Sequence, residues 1–141
     1  MRLNVLRAII KRAARNLGQN QPNLYDFTSV TNQTEWNLAH HLANELREFF
    51  PRHDCDLDVS KANVHYHRPD IIIHHRGEHL RNFLVVEVKR DTSGVLDDIN
   101  KIMGFWFEPP LSYDFGAVVV LDKDLIPVVE VFRNAKKVRA Q

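Results

Sequence analysis

Cysteine is nearly absent from this chain: Cys55 is the one thiol in 141 residues. That excludes an intramolecular disulfide framework, and any zinc or iron–sulfur site made of cysteines from a single chain. A reducing, cytoplasmic setting is the simple expectation. Long apolar runs are lacking as well. Nothing approaches the ~20 residues needed to cross a bilayer, so no membrane partner is expected. Glycine (5) and proline (6) are few, and no segment is repetitive or of low complexity, which argues against a disordered chain. Acidic residues are missing from both ends, with none before Asp26 and none after Glu130.

What remains is an apolar share of 44%, enough for one hydrophobic core in a chain of this length. The net charge of +1 hides an asymmetry. Arg2, Arg7, Lys11, Arg12 and Arg15 stand at one end, and Arg133, Lys136, Lys137 and Arg139 at the other. The stretch between them holds 10 basic against 18 acidic residues. An acidic centre between basic ends suits a protein that collects cations in the middle and meets phosphates at its edges.

Helical spacing of Leu3, Leu6, Ile9, Ile10, Ala13 and Leu17 predicts a first helix over 3–17, stopped by Gly18. Its basic side chains fall on the opposite face. The helix would dock on the core or on a partner subunit, touch phosphates, or serve as an Arg-rich transit leader. Residues 18–31 carry turn chemistry and no period, so 1–30 reads as a basic amphipathic helix with a linker, and 31–141 as the main domain. A second helix starts near Thr31 to Thr34, with Leu38, Ala39, Leu42, Leu46 and Phe49 as its stripe and Pro51 as its end.

Strands are predicted over 54–64, 70–75, 82–89, 116–121 and 127–132. Between the third and fourth, Thr92 or Ser93 can cap a helix whose stripe is Val95, Ile99, Ile102 and Met103. The class is therefore mixed α/β: an antiparallel meander, a helical crossover and a mixed sheet with helices packed on it.

Alternation puts Asp70, Ile72 and His74 on one face of their strand, and Phe83, Val85, Glu87 and Lys89 on one face of the next. If the hairpin turns near Glu78 and His79, paired residue numbers sum to about 157, which sets Asp70 opposite Glu87. Two carboxylates and an amine would converge at one end of the hairpin. Carboxylate oxygens are what a hard cation such as magnesium requires, and the Val88 carbonyl offers another oxygen. Glu35 falls near the centre of its helix's apolar stripe, a costly place for a charge unless it is paired or bound to metal.

Glu35 on a leading helix, Arg68-Pro69-Asp70 entering a strand, and Phe83-Leu84-Val85-Val86-Glu87-Val88-Lys89 on the next resemble the PD-(D/E)XK superfamily over about residues 31–132. That superfamily includes restriction-endonuclease-like and Holliday-junction-resolvase-like enzymes. The resemblance implies an αβββαβ core, preceded here by an extra N-terminal helix. It also implies Mg2+ or Mn2+, and hydrolysis of a nucleic-acid phosphodiester, DNA being favoured. Asp70 and Glu87 would hold metal, with Val88 and a direct or water-mediated Glu35, while Lys89 would direct the attacking water. Lys101, Arg68 and Arg90 would meet substrate. A homodimer would let one small site cut both strands of a duplex, and the apolar face of the first helix offers a surface for it.

Each signal has a plainer reading. Glu-x-Lys often ends a solvated strand, and Pro-Asp is ordinary turn chemistry; the argument rests on their conjunction with Glu35 and the element order. The eight histidines read as surface or hydrogen-bonded rather than as a zinc site, since only His65 and His67 converge locally. Trp36 and Phe105-Trp106-Phe107 read as core or interface. The Gln-x-x-x-Tyr signature of RecB-like exonucleases is missing. The rival functions are a catalytically degenerate nuclease-fold module that binds nucleic acid or protein, and an RNA-cleaving toxin of the same fold.

Overall fold

The N-terminal apolar stripe folds as α1, Leu3–Asn20, in a computed structural model that describes residues 1–30, 33–57 and 68–137. Leu6, Ile10, Ala13, Ala14 and Leu17 are buried along it. Each fully buried large side chain contributes roughly 1.5–3 kcal/mol. α1 packs on α3 and on the last strand, within the same core as the rest of the chain. Of the readings open to this helix, docking on its own core is the one the structure shows. The apolar face that suggested a second copy is consumed inside the chain. Gly18 does not stop the helix; it lies inside it, where a Cβ would stand 3.5 Å from that of Leu125. The segment read as a linker contains a short helix, α2, Leu24–Ser29, whose single buried residue, Leu24, is too little to give a period.

α3, Thr34–Arg47, buries Leu38, Ala39, Leu42 and Leu46 as expected, and adds Ala43. It ends four residues before Pro51, and Phe50 in the following turn is buried. Trp36 is no part of the core: it is 64% exposed.

Five strands follow: β1 Asp54–Leu57, β2 Ile71–His74, β3 Leu84–Lys89, β4 Phe115–Leu121 and β5 Pro127–Arg133. The rest of the expected first strand, 58–64, with His65 and His67, lies outside the described residues. The sheet order is β1-β2-β3-β4-β5, antiparallel except for the parallel pair β3–β4. That pair needs a crossover, which α4, Val95–Lys101, and a continuing π-helical turn, Ile102–Trp106, provide. The mixed α/β class and the order of elements follow the sequence expectation.

Register decides what faces what. Ile71 pairs with Val86, Ile72 with Val85 and Ile73 with Leu84, the register anticipated for the hairpin. Leu84, Val86 and Val88 therefore pack under α1 and α3, while Val85 packs under α4 and the π turn with Trp106 and Tyr113. Phe83 departs from the alternation. It precedes β3 and turns to Phe50 and Phe115 on the α1–α3 side.

The crossover lies unusually close to the sheet. A Cβ on Gly116 would fall 2.3 Å from Ile102 Cγ2, so only glycine fits there. The i→i+5 turn rotates Met103 out of the expected stripe, leaving it 44% exposed. Phe105 is also exposed, at 43%, while Trp106 and Phe107 are buried. Neither Thr92 nor Ser93 caps α4; the N-cap is Gly94, and the Ser93 amide and hydroxyl both donate to Asp91 Oδ1. No described helix is long and apolar enough to cross a membrane.

Candidate active site

β2 stops pairing at Ile71, so β3 runs past its neighbour by three residues, Glu87 to Lys89. Asp70 continues the ladder with its side chain: Oδ2 accepts the Val88 amide hydrogen at 2.7 Å. Alternation then turns Glu87 and Lys89 toward the α4 side. The Glu87 carboxyl donates a hydrogen bond to the Asp70 carboxylate. The register argument thus brings Asp70 and Glu87 into contact.

Both acids titrate above the ordinary carboxylate range. Burial is the main cause for each. For Glu87 the neighbouring charges of Asp70 and Asp98 push the same way. For Asp70 the Val88 amide and Glu87 pull back, while Glu35 and Asp98 add to the rise. Two carboxylates this close cannot both ionise cheaply, so the pair holds a proton at neutral pH unless a cation replaces it.

Lys89 is half-buried, with Nζ 3.5 Å from Asp98 Oδ2. Burial alone would lower its ammonium, but Asp98, Glu35 and Asp70 together outweigh burial and the net shift is upward. It is a cation at neutral pH. Lys101 Nζ lies 3.6 Å from Asp98 Oδ1, and its charge also favours the ionised form of Glu87.

Other expected residues sit further out. Glu35, in the first turn of α3, is half-buried and acts on Asp70 and Lys89 through its charge. Among the described residues no three His, Cys, Asp or Glu side chains gather closely enough to hold a metal ion. Arg68 is exposed two residues before Asp70, and Arg90 is half-buried after Lys89.

The residue that sequence reasoning missed is Asp98, buried on α4 at 5% exposure. Its signal was present. Asp98 stands three residues after Val95 and four before Ile102, inside the apolar stripe, which is the argument that drew attention to Glu35.

A second polar cluster lies on the same face of β2. His74 Nε2 is 2.6 Å from Asp56 Oδ2, and Arg76 clamps Asp56 with two bonds of 2.9 and 2.6 Å. The Arg76 amide also donates to Asp54 at 2.9 Å. These bonds tie β1 to β2. A shallow cleft of about 560 Å³, bounded by Asn44, Arg47, Glu48, Phe50, Pro51 and His53, lies at the other end of α3 from Glu35. Compared with protein-family models, with curated proteins and with solved structures, the chain matches none.

Proposed function

We propose that this chain is a divalent-metal-dependent nuclease of the PD-(D/E)XK type, with a restriction-endonuclease-like core, hydrolysing phosphodiester bonds of nucleic acid and most naturally DNA. One observation carries the reading: Asp70 and Glu87, two carboxylates in contact, are held at the end of β3 beside the Lys89 ammonium. A pair kept this close without a cation costs stability, a cost that a fold retains when the pair binds something positive.

The donor set fits Mg2+ or Mn2+. Asp70 and Glu87 offer hard oxygens, and the Val88 carbonyl leaves the strand on the side from which Asp70 meets the Val88 amide. Glu35 would act through water. Two or three protein oxygens suit magnesium, which keeps several of its own waters and takes the rest of its ligands from substrate. When bound, the ion would polarise the scissile phosphate and make a hydroxide available at neutral pH.

The protein's own part is positional and electrostatic. Asp70 and Glu87 would hold the cation and so set where the attacking water stands. Lys89 places a positive charge where the phosphorane-like transition state gathers negative charge. Lys101, Arg68 and Arg90 supply further cations for the phosphate backbone.

The decisive experiment offers supercoiled plasmid, branched DNA, single-stranded DNA and RNA to the protein with Mg2+, Mn2+ or EDTA, alongside Asp70→Ala. Metal-dependent cutting that EDTA and the substitution both abolish is the expected result. Cutting confined to RNA would assign the chain to the toxin-like alternative. Salt-dependent binding of DNA by folded protein, with no turnover under any metal, would replace the nuclease by the degenerate binding module.

A further inference from the structure

Asp98 projects from α4 between two ammonium groups, Lys89 Nζ at 3.5 Å and Lys101 Nζ at 3.6 Å. Each of its oxygens faces one lysine. A carboxylate buried to 5% exposure is tolerated because two cations face it.

Lys89 is confined from a second direction. A Cβ on Gly94 would stand 3.2 Å from Lys89 Nζ, and Gly94 has φ +71, a backbone conformation that side chains rarely adopt. The ammonium is thus close both to the Gly94 backbone and to the Asp98 carboxylate. Lys101 shares that carboxylate from one turn along the helix.

We infer that Asp98 is a positioning residue that holds Lys89 toward the Asp70–Glu87 pair and yokes Lys101 to it, so that the two cations are placed as a unit. The catalytic consequence rests on the nuclease reading; the placement of the lysines does not. A long lysine side chain at the end of a strand has several rotamers, and each misplaced one takes the charge away from the reacting phosphate.

The test compares Asp98→Asn, which removes the charge, with Asp98→Glu, which keeps it one methylene further out. In steady-state cleavage of DNA, Asp98→Asn is expected to lower kcat roughly 10–100-fold. KM should stay level or fall, because two lysines are released to bind phosphate. Asp98→Glu should recover part of kcat. A general loss of structure would instead raise KM and spare no variant.

A second readout needs no cleavage: the ε-methylene signals of Lys89 in a 13C–1H NMR spectrum. A fixed side chain gives two distinct ε-proton signals, which should merge in Asp98→Asn and stay apart in Asp98→Glu while the backbone amide spectrum is retained. Should the asparagine variant fail to fold, Asp98→Glu decides alone: separate Lys89 signals with a partial kcat uphold the inference, and full kcat with merged signals overturns it. Unchanged kcat and unchanged Lys89 signals in Asp98→Asn would also overturn it, leaving the nuclease reading intact. If wild-type protein cuts nothing, the nuclease reading falls and the Lys89 signals still decide the placement.

Discussion

Two carboxylate settings lie along one face of β2, and they are built on opposite principles. At one end Asp56 has an arginine clamp and a histidine for company, and its carboxyl is held down to about 2, first by Arg76 and then, against burial, by His74. At the other end Asp70 and Glu87 face each other, and both are pushed up, chiefly by burial. The balanced cluster spends its charges on holding the edge strand. The unbalanced pair carries negative charge that nothing in its own contact cancels. A fold keeps acids in deficit where the missing positive charge arrives from outside.

Breaking the unbalanced end should give the largest effect, with opposite signs for activity and stability. Glu87→Gln is expected to reduce metal-dependent cleavage at least about 10³-fold. The same change relieves a buried like-charge pair, so the thermal midpoint in EDTA should rise by roughly 3–8 °C. Calorimetry beside a cleavage assay checks both; a lower midpoint would mean that the pair is already compensated. Asp56→Asn should do the reverse. It strips His74 and Arg76 of their partner and should cost about 1–3 kcal/mol in denaturant unfolding, with the metal dependence of cleavage unchanged. Because the folded form holds the Asp56 carboxyl below its usual range, its contribution is full above that range. It should disappear as pH falls toward about 2.

The smallest effect sharpens the contrast in the wild-type protein. A raised carboxyl favours the fold when protonated, so stability in EDTA should decline as pH climbs above the ordinary carboxylate range. Millimolar Mg2+ should flatten that decline by a few degrees, through binding to the folded form alone. In Glu87→Gln the slope and the metal effect should both shrink. A slope that persists unchanged in the variant would place its origin elsewhere.

What could be read from residues alone was largely what periodicity controls. The β2–β3 register followed from the polar turn and the apolar alternation, since a slip of one residue would bury Lys89 and Glu87 among the core valines. The contact between Asp70 and Glu87 came with it. Depth was harder to read than direction. A helical wheel pointed Glu35 inward, yet Glu35, in the first turn of α3, stays half-buried. Trp36, beside it, is exposed. Asp98 is not legible from the apolar positions of α4 alone; it shows only when an acid within that stripe is weighed as Glu35 is. The π-helical turn had no signature at all. It coincides with the close approach of Ile102 to Gly116 on β4.

That approach has a consequence for how the site tolerates change. Gly116 acts as a clearance gauge: one hydrogen atom, where other residues carry a carbon, sets the gap between β4 and Ile102. Ile102 is one turn beyond Asp98 on the same crossover. Thickening the sheet at Gly116 by a single methyl would lift that crossover and carry Asp98 and Lys101 off the end of β3. The alignment of the charges is thus gauged from a residue that has no functional group, on a strand that contributes none of them.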